Sequence, residues 1–236
     1  MKQFKVLDYD IIYLSYDEPN AEENYQALLD RFPRAKRVDG VKGIHQAHIA
    51  AAKKCFTKMF WVVDGDAELS RGFEFDYEVS EWDLETVHVW RSINPINNLE
   101  YGYGGVKLLP RSLTLNMDIS IPDMTTSISD KFKAMPEVSC ITAFNTDALS
   151  TWRGAFRECV KLASKTIPGQ VDEETEQRLT TWCTVGANNE FGKYAIHGAQ
   201  VGKHFGTAHK DDKEILYKIN DFEWLKEQYD EYKDSI

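Results

Sequence analysis

Asp64-Gly65-Asp66 closes a fully apolar run, Met59-Phe60-Trp61-Val62-Val63. Two carboxylates two residues apart, with a glycine allowing a tight backbone between them, can share a hard divalent cation. Mg²⁺ and Mn²⁺ prefer oxygen ligands of this kind. A cation held this way keeps positions open for substrate phosphates and offsets charge on a departing pyrophosphate. The spacing alone is weak evidence, since Asp8-Tyr9-Asp10 repeats it. Position separates the two pairs: the first precedes a strand, whereas the second ends a buried one. The alternative for Asp64 and Asp66 is a solvated turn.

Two other segments carry compatible chemistry. In Ser15-Tyr16-Asp17-Glu18 and in Asp39-Gly40-Val41-Lys42-Gly43, the carboxylates of Glu18 and Asp39 can accept hydrogen bonds from a ribose or a base N–H. Tyr16 can stack on the base. Lys42, just before a helix start, can hold a phosphate at the positive end of that helix. Ordinary capping and turn chemistry is the competing explanation. No G-x-x-x-x-G-K-[ST] occurs, which excludes a P-loop, and Gly102-Tyr103-Gly104-Gly105 lacks the strand-before, helix-after setting of a dinucleotide fingerprint.

Later in the chain Arg153 and Arg157 stand four apart on one helix, where like charges repel and an anion between them would help. Asp147 before that helix and Glu158 on it are the candidate general bases for an attacking hydroxyl, against a solvated charged face. His45 and His48 are three apart on a helix without a carboxylate partner, a weak transition-metal pattern. His197, His204 and His209 gather near a glycine-rich segment, and any one could complete a metal shell begun by Asp64 and Asp66.

These residues need elements to position them. Ile11–Leu14, Arg37–Asp39 and Met59–Val63 read as strands. Helices lie between them, marked by Tyr25, Leu28, Leu29 and Phe32 (stopped by Pro33) and by Ile44, Ala47, Ala51, Ala52 and Cys55. Strand–helix–strand–helix–strand predicts a parallel α/β half-domain, whose ligands bind at the carboxyl ends of the strands. Those ends are Ser15–Asn20, Asp39–Gly43 and Asp64–Glu68, and all three should share one edge. Thr86–Trp90 and Val138–Phe144 are further strand candidates, with Ser92–Pro110 between them read as a loop. Trp152 to Ala163 and Phe222 to Tyr232 carry the apolar stripes of two more helices. The expected architecture is a single α/β domain over 1–236 with a mostly parallel central sheet flanked by helices.

Composition bounds the rest. With 236 residues the chain can bury one continuous core without disulfide or metal staples. Its four cysteines are widely spaced, with no C-x-x-C, so disulfides and structural zinc are not expected. No apolar stretch is long enough to span a membrane, and residues 1–10 lack a signal-peptide core; a cytoplasmic protein is expected. The formal charge of −10 argues against coating nucleic acid by charge alone. Charge is uneven, however: residues 211–236 carry a net −5 and residues 103–170 a net +2.

The order Ile11–Asn20, Arg37–Gly43, Phe60–Glu68 with its D-x-D resembles the nucleotide-sugar half of GT-A glycosyltransferases. Thr151-Trp152-Arg153-Gly154-Ala155-Phe156-Arg157-Glu158-Cys159-Val160-Lys161-Leu162 and Ile219-Asn220-Asp221-Phe222-Glu223-Trp224-Leu225 are similar to segments of glycosyltransferase-like proteins of tailed bacteriophages. The resemblance implies a GT-A-like domain in which Asp64 and Asp66 hold a divalent metal and the donor diphosphate. Residues 1–90 would be its nucleotide-sugar-binding half, and 91–236 its acceptor-side half with the C-terminal helices. Ser15, Tyr16, Glu18 and Asp39 would surround the nucleoside, with Lys42 near phosphate. The implied donor is a nucleotide sugar, UDP-linked in the working expectation. The implied acceptor is a hydroxymethylated pyrimidine in phage DNA, which places the protein in the host cytoplasm. If DNA is the acceptor, Tyr101, Tyr103, Lys107, Arg111, Arg153 and Arg157 are the candidates to stack on bases and hold phosphates. Two other functions compete: a sugar nucleotidyltransferase, which would normally show a basic glycine-rich loop where this chain has Tyr16-Asp17-Glu18, and a non-catalytic nucleotide- or carbohydrate-binding module.

Overall fold

A computed structural model describes residues 9–102, 104–167 and 169–236. The chain divides into two compact units. The first takes the residues up to Ile93 with Glu100–Met117 and Ile128–Thr142; the second takes Asn94–Leu99, Asp118–Ser127 and Ala143–Ile236. Among the described residues no helix is long and apolar enough to cross a membrane.

The first unit opens with the expected alternation: β1 (Asp10–Ser15), α1 (Ala21–Arg31), β2 (Lys36–Asp39), α2 (Ile44–Lys54) and β3 (Met59–Asp64). Helix α1 ends two residues before Pro33, whose ring cannot continue it, and Tyr25, Leu28, Leu29 and Phe32 turn toward the core. Strands β2 and β3 flank β1, both parallel to it. Met59 to Val63 are at most 1% exposed, so this apolar run is covered on both faces.

Beyond β3 the sheet departs from expectation. There follow β4 (Ala67–Leu69), β5 (Val87–Ile93), β6 (Glu100–Tyr101), β7 (Val106–Pro110), the short helices α3 (Arg111–Leu115) and α4 (Met124–Ile128), and β8 (Phe132–Thr142). The order is β2-β1-β3-β7-β5-β8-β4, with β6 paired to β5. Three pairings are parallel and four antiparallel among the described residues, so the sheet is mixed rather than mostly parallel. The cause is β7. Its segment was expected to be part of a loop, yet it enters antiparallel between β3 and β5. All five of its residues are buried, so it shows no period-2 alternation, and glycines before it and Pro110 at its end read as turn signals. Strand β8 starts six residues before the expected Val138 and ends before Phe144. Pro136 is tolerated there because the register with β5 shifts between Trp90 and Arg91, a bulge that needs no donor from proline. An aromatic core of Trp61, Trp90, Phe73 and Phe75 packs on this sheet, with the two indole rings 4.5 Å apart.

The second unit is helical: α5 (Ala148–Ser164), α6 (Asp172–Thr184), α7 (Gly192–Ala208), α8 (Lys213–Tyr217) and α9 (Phe222–Tyr232). Helix α7 is the glycine-rich segment, and its glycines face α5 at four-residue intervals. A β-carbon on Gly198, Gly202 or Gly206 would lie 2.4, 2.4 or 2.6 Å from the carbonyl oxygens of Trp152, Phe156 and Val160. Backbone therefore meets backbone along three turns, and the apolar stripe of α5 closes against Leu216, Ile219 and Leu225. Gly202→Ala gains about 1 kcal/mol of helix propensity but must push two helices apart, an overpacking that costs about 1–3 kcal/mol or more. We expect a net loss near 2 kcal/mol, read as a thermal midpoint lowered by about 4–8 °C. An unchanged or raised midpoint would mean the helices do not approach this closely.

Candidate functional site

Three parallel strand ends meet at one edge of the first unit, as their order requires. In register, Ser15 of β1 lies beside Asp39 of β2, and Leu14 beside Asp64 of β3. Side chains then tie these ends together. The Ser15 hydroxyl donates to Asp39 Oδ1 (2.6 Å). Arg37 Nε donates to Ser15 Oγ (2.8 Å), its Nη1 to Glu22 (2.7 Å) and its Nη2 to Asp39 (3.1 Å), while its guanidinium lies over the rings of Tyr13 and Tyr25. Arg37 was not among the expected residues, although its place two before Asp39 on a strand puts both on one face.

The Asp64–Asp66 turn is held from three sides. Tyr13 Oη and Asn24 Nδ2 both donate to the Gly65 carbonyl, at 2.7 and 3.1 Å, and the Asp64 amide donates to the Gly105 carbonyl at 2.9 Å. A β-carbon at the middle position would sit 2.5 Å from Glu18 Oε2, so any other residue there would displace the Glu18 carboxylate. Glu18 also accepts the Tyr16 amide at 2.8 Å, which leaves the Tyr16 ring 44% exposed above the edge. Three carboxylates (Glu18, Asp64 and Asp66) thus gather around one glycine.

Their charge is unevenly met. Lys107, buried on β7, places Nζ 2.7 Å from both oxygens of Asp64 and also donates to the Gly104 carbonyl. This lysine was expected to hold acceptor phosphates; instead it is the counterion of the first aspartate. A lone lysine inside an apolar run, Val106-Lys107-Leu108-Leu109, signals a buried cation that needs a carboxylate partner. Asp66 feels the same ammonium only as a more distant charge. Burial, then the charges of Asp64 and Glu18, push its carboxyl from the ordinary 3.8 up to about 7.

The remaining expected residues lie elsewhere. Tyr101 is buried on β6, and Tyr103 lies outside the described residues. Arg111 follows β7 at the opposite edge of the sheet, where its Nε donates to the Ala52 carbonyl at 3.0 Å. Lys42 is exposed just before α2. His45 and His48 are buried on α2, with His48 Nδ1 2.8 Å from the Ile44 carbonyl. All four cysteines are free thiols, and no group of three or more His, Cys, Asp or Glu side chains among the described residues is arranged to hold a metal.

Asp147, Glu158, Arg153 and Arg157 belong to the second unit. Asp147 is the N-cap of α5, accepting the Ser150 amide at 2.8 Å and the Ser150 hydroxyl at 2.7 Å. Burial alone would raise its pKa, but these bonds hold the carboxyl below its ordinary range. A carboxylate so engaged is a weak base at neutral pH. Asp147→Ala should cost about 1 kcal/mol by loss of the cap, measured as a lower urea midpoint; a loss under a few tenths would show that the cap is not formed. Glu158 is buried on the same helix. Helix α5 and the Ile219–Leu225 stretch are coupled through Arg157, whose Nε donates to the Ile219 carbonyl (2.7 Å) and Nη2 to Asn220 (3.3 Å), while Arg153 and Arg157 both lie over the Phe222 ring. His197 and His204 lie on α7 and His209 just after it; His197 Nδ1 accepts the Trp152 indole N–H at 3.1 Å.

Compared with models of known protein families and with curated proteins, the chain matches none.

Proposed function

We propose that the chain is a nucleotide-sugar-dependent glycosyltransferase whose donor site is the carboxyl edge of β2, β1 and β3. The observation that supports this most directly is the convergence there of Ser15, Tyr16, Glu18, Asp39 and the Asp64–Asp66 turn, with the charge of Lys107 too little to offset burial and the neighbouring carboxylates at Asp66. In this reading Tyr16 stacks on the base, and Ser15 and Asp39, oriented by Arg37, accept the ribose hydroxyls. Glu18 and Asp66 face the diphosphate end of the donor.

Mg²⁺ or Mn²⁺ would suit the hard carboxylate oxygens of this turn, and a cation there would offset the repulsion from Asp64 and Glu18 that adds to burial in raising the Asp66 pKa. Asp64 and Asp66 would hold it, Asp64 keeping lone pairs for the ion while bound to Lys107. When bound, the ion would offset charge on the leaving nucleoside diphosphate. Lys107 supplies a fixed positive charge at the same end, and the Gly65 carbonyl anchors keep the turn from yielding. The acceptor class, a hydroxymethylated pyrimidine in DNA, rests on the resemblance of Thr151–Leu162 and Ile219–Leu225 to phage proteins.

Thermal unfolding with a panel of nucleotide sugars, each with Mn²⁺ and with EDTA, tests the donor site. One nucleotide sugar at a hundredfold excess over its Kd should add about 2.7 kcal/mol of stability, only with metal, and Asp66→Asn should abolish the effect. No shift with any donor under either condition would refute the proposal. Transfer of labelled sugar to hydroxymethylated DNA, and not to unmodified DNA, then tests the acceptor.

A further inference from the structure

The edge opposite the candidate donor site has the reverse charge. Residues 31–58 hold eight basic side chains and one acidic one, a local charge of +7 in a chain whose net charge is −10. Arg37, Asp39 and Lys42 stay at the carboxyl edge, while the topology gathers Lys36, Lys53, Lys54 and Lys58 at the amino ends of the parallel strands. Lys36 begins β2, Lys53 and Lys54 end α2, Phe56 and Lys58 lead into β3, and Arg111 follows β7, whose Pro110 pairs with Met59. Contacts confirm that they form one cluster. Lys36 Nζ lies 3.2 Å from the Lys54 carbonyl and 5.0 Å from the centre of the Phe56 ring. The Arg111 amide donates to the Lys58 carbonyl at 2.9 Å. Lys53, Lys54 and Lys58 are exposed, and Asp10 offsets only Lys36, at 2.6 Å.

Phe56 is 89% exposed, one of the two most exposed large apolar side chains among the described residues. Core packing does not require it there. A favourable helix C-terminus accounts for Lys53 and Lys54, but not for Lys58, Arg111 or the bare ring. Neighbouring strands lie about 4.8 Å apart, so the three spacings from β2 to β7 span about 14 Å, the length of about four stacked nucleotides. Cations around a single accessible aromatic ring fit a polynucleotide, whose phosphates need charge and whose bases offer a face to stack on. A bilayer would call for several apolar side chains, and among the described residues Phe56 is the cluster's one exposed large apolar residue.

We propose that this amino-end face of the first unit binds single-stranded nucleic acid, its phosphates held by Lys36, Lys53, Lys54, Lys58 and Arg111 and an unpaired base stacked on Phe56. The site is separate from the carboxyl edge and does not rest on the glycosyltransferase reading. The strand docks without sequence preference, because every contact is to phosphate or to the face of a base.

Fluorescence anisotropy with a labelled single-stranded oligonucleotide, a duplex of equal length and vesicles containing phosphatidylserine tests it on the full chain. The unmodified protein should bind the single strand more tightly than the duplex. Lys53→Glu/Lys54→Glu/Lys58→Glu should weaken single-strand binding about tenfold or more and flatten the salt dependence by about two logarithmic units per decade of salt. Phe56→Ala should weaken single-strand binding about fivefold or more and leave the duplex unchanged. Circular dichroism should show both variants folded, as expected for exposed side chains. Absence of oligonucleotide binding at low salt, binding untouched by either variant, or binding of vesicles alone would overturn the proposal.

Discussion

Asp66→Asn will make the protein more stable at neutral pH while removing donor binding. The carboxyl of Asp66 is held near 7 in the folded chain against 3.8 ordinarily, so between those values the folded state binds the extra proton. Its favourable contribution is complete below about pH 4 and is lost as pH rises through about 7. Fully expressed, a shift of that size corresponds to about 4 kcal/mol; Asp66 keeps partial access to water, so about 2 kcal/mol is the expected gain. Urea midpoints taken in EDTA at pH 4.5 and pH 8 will check the sign. The two proteins should differ little at the lower pH, and the variant should lead at the higher one. Equal stabilities at pH 8 would show that Asp66 carries no uncompensated charge.

Lys107→Met will act in the opposite direction. It leaves Asp64 beside Glu18 and Asp66 without its ammonium; because the Asp64 carboxylate is 32% exposed, the loss should fall below that of a fully buried pair, at about 2 kcal/mol. It also frees the Gly104 carbonyl from its donor. If the pair is the reason, Lys107→Met/Asp64→Asn should recover more than half of that loss in a double-mutant cycle. A single-variant loss below about 1 kcal/mol, or no recovery in the double variant, would mean that Lys107 is not the counterion of the turn.

The two variants divide the candidate site by what could be read along the chain. Asp64-Gly65-Asp66, Glu18 and Asp39 are legible because each follows a strand whose apolar pattern is plain, and parallel neighbours must bring such ends together. Arg37 and Lys107 were missed as members of the site because what identifies each is a partner on another strand. Lys107 is the sharper case. Its own segment was expected to be loop, so nothing indicated that it would lie inside a sheet beside β3. The basic run of residues 31–58 was open to simple counting along the chain, but its meaning depends on α2, β2, β3 and β7 bringing their ends to one edge.

The same division holds for the fold. Local patterning by itself determined the elements of the first unit as far as β3, the helix that carries Trp152 and Phe156, and the final helix. The helices carry their own 3.6 period, and the strands are short apolar runs bounded by turn residues. Only the tertiary structure decided that the sheet is mixed, that a glycine-rich segment is a helix packed backbone-to-backbone on α5, and that Lys107 bonds to Asp64 rather than to Asp66. Strand direction, helix proximity and a carboxyl's charge are set by neighbours distant in sequence, and no local period encodes them.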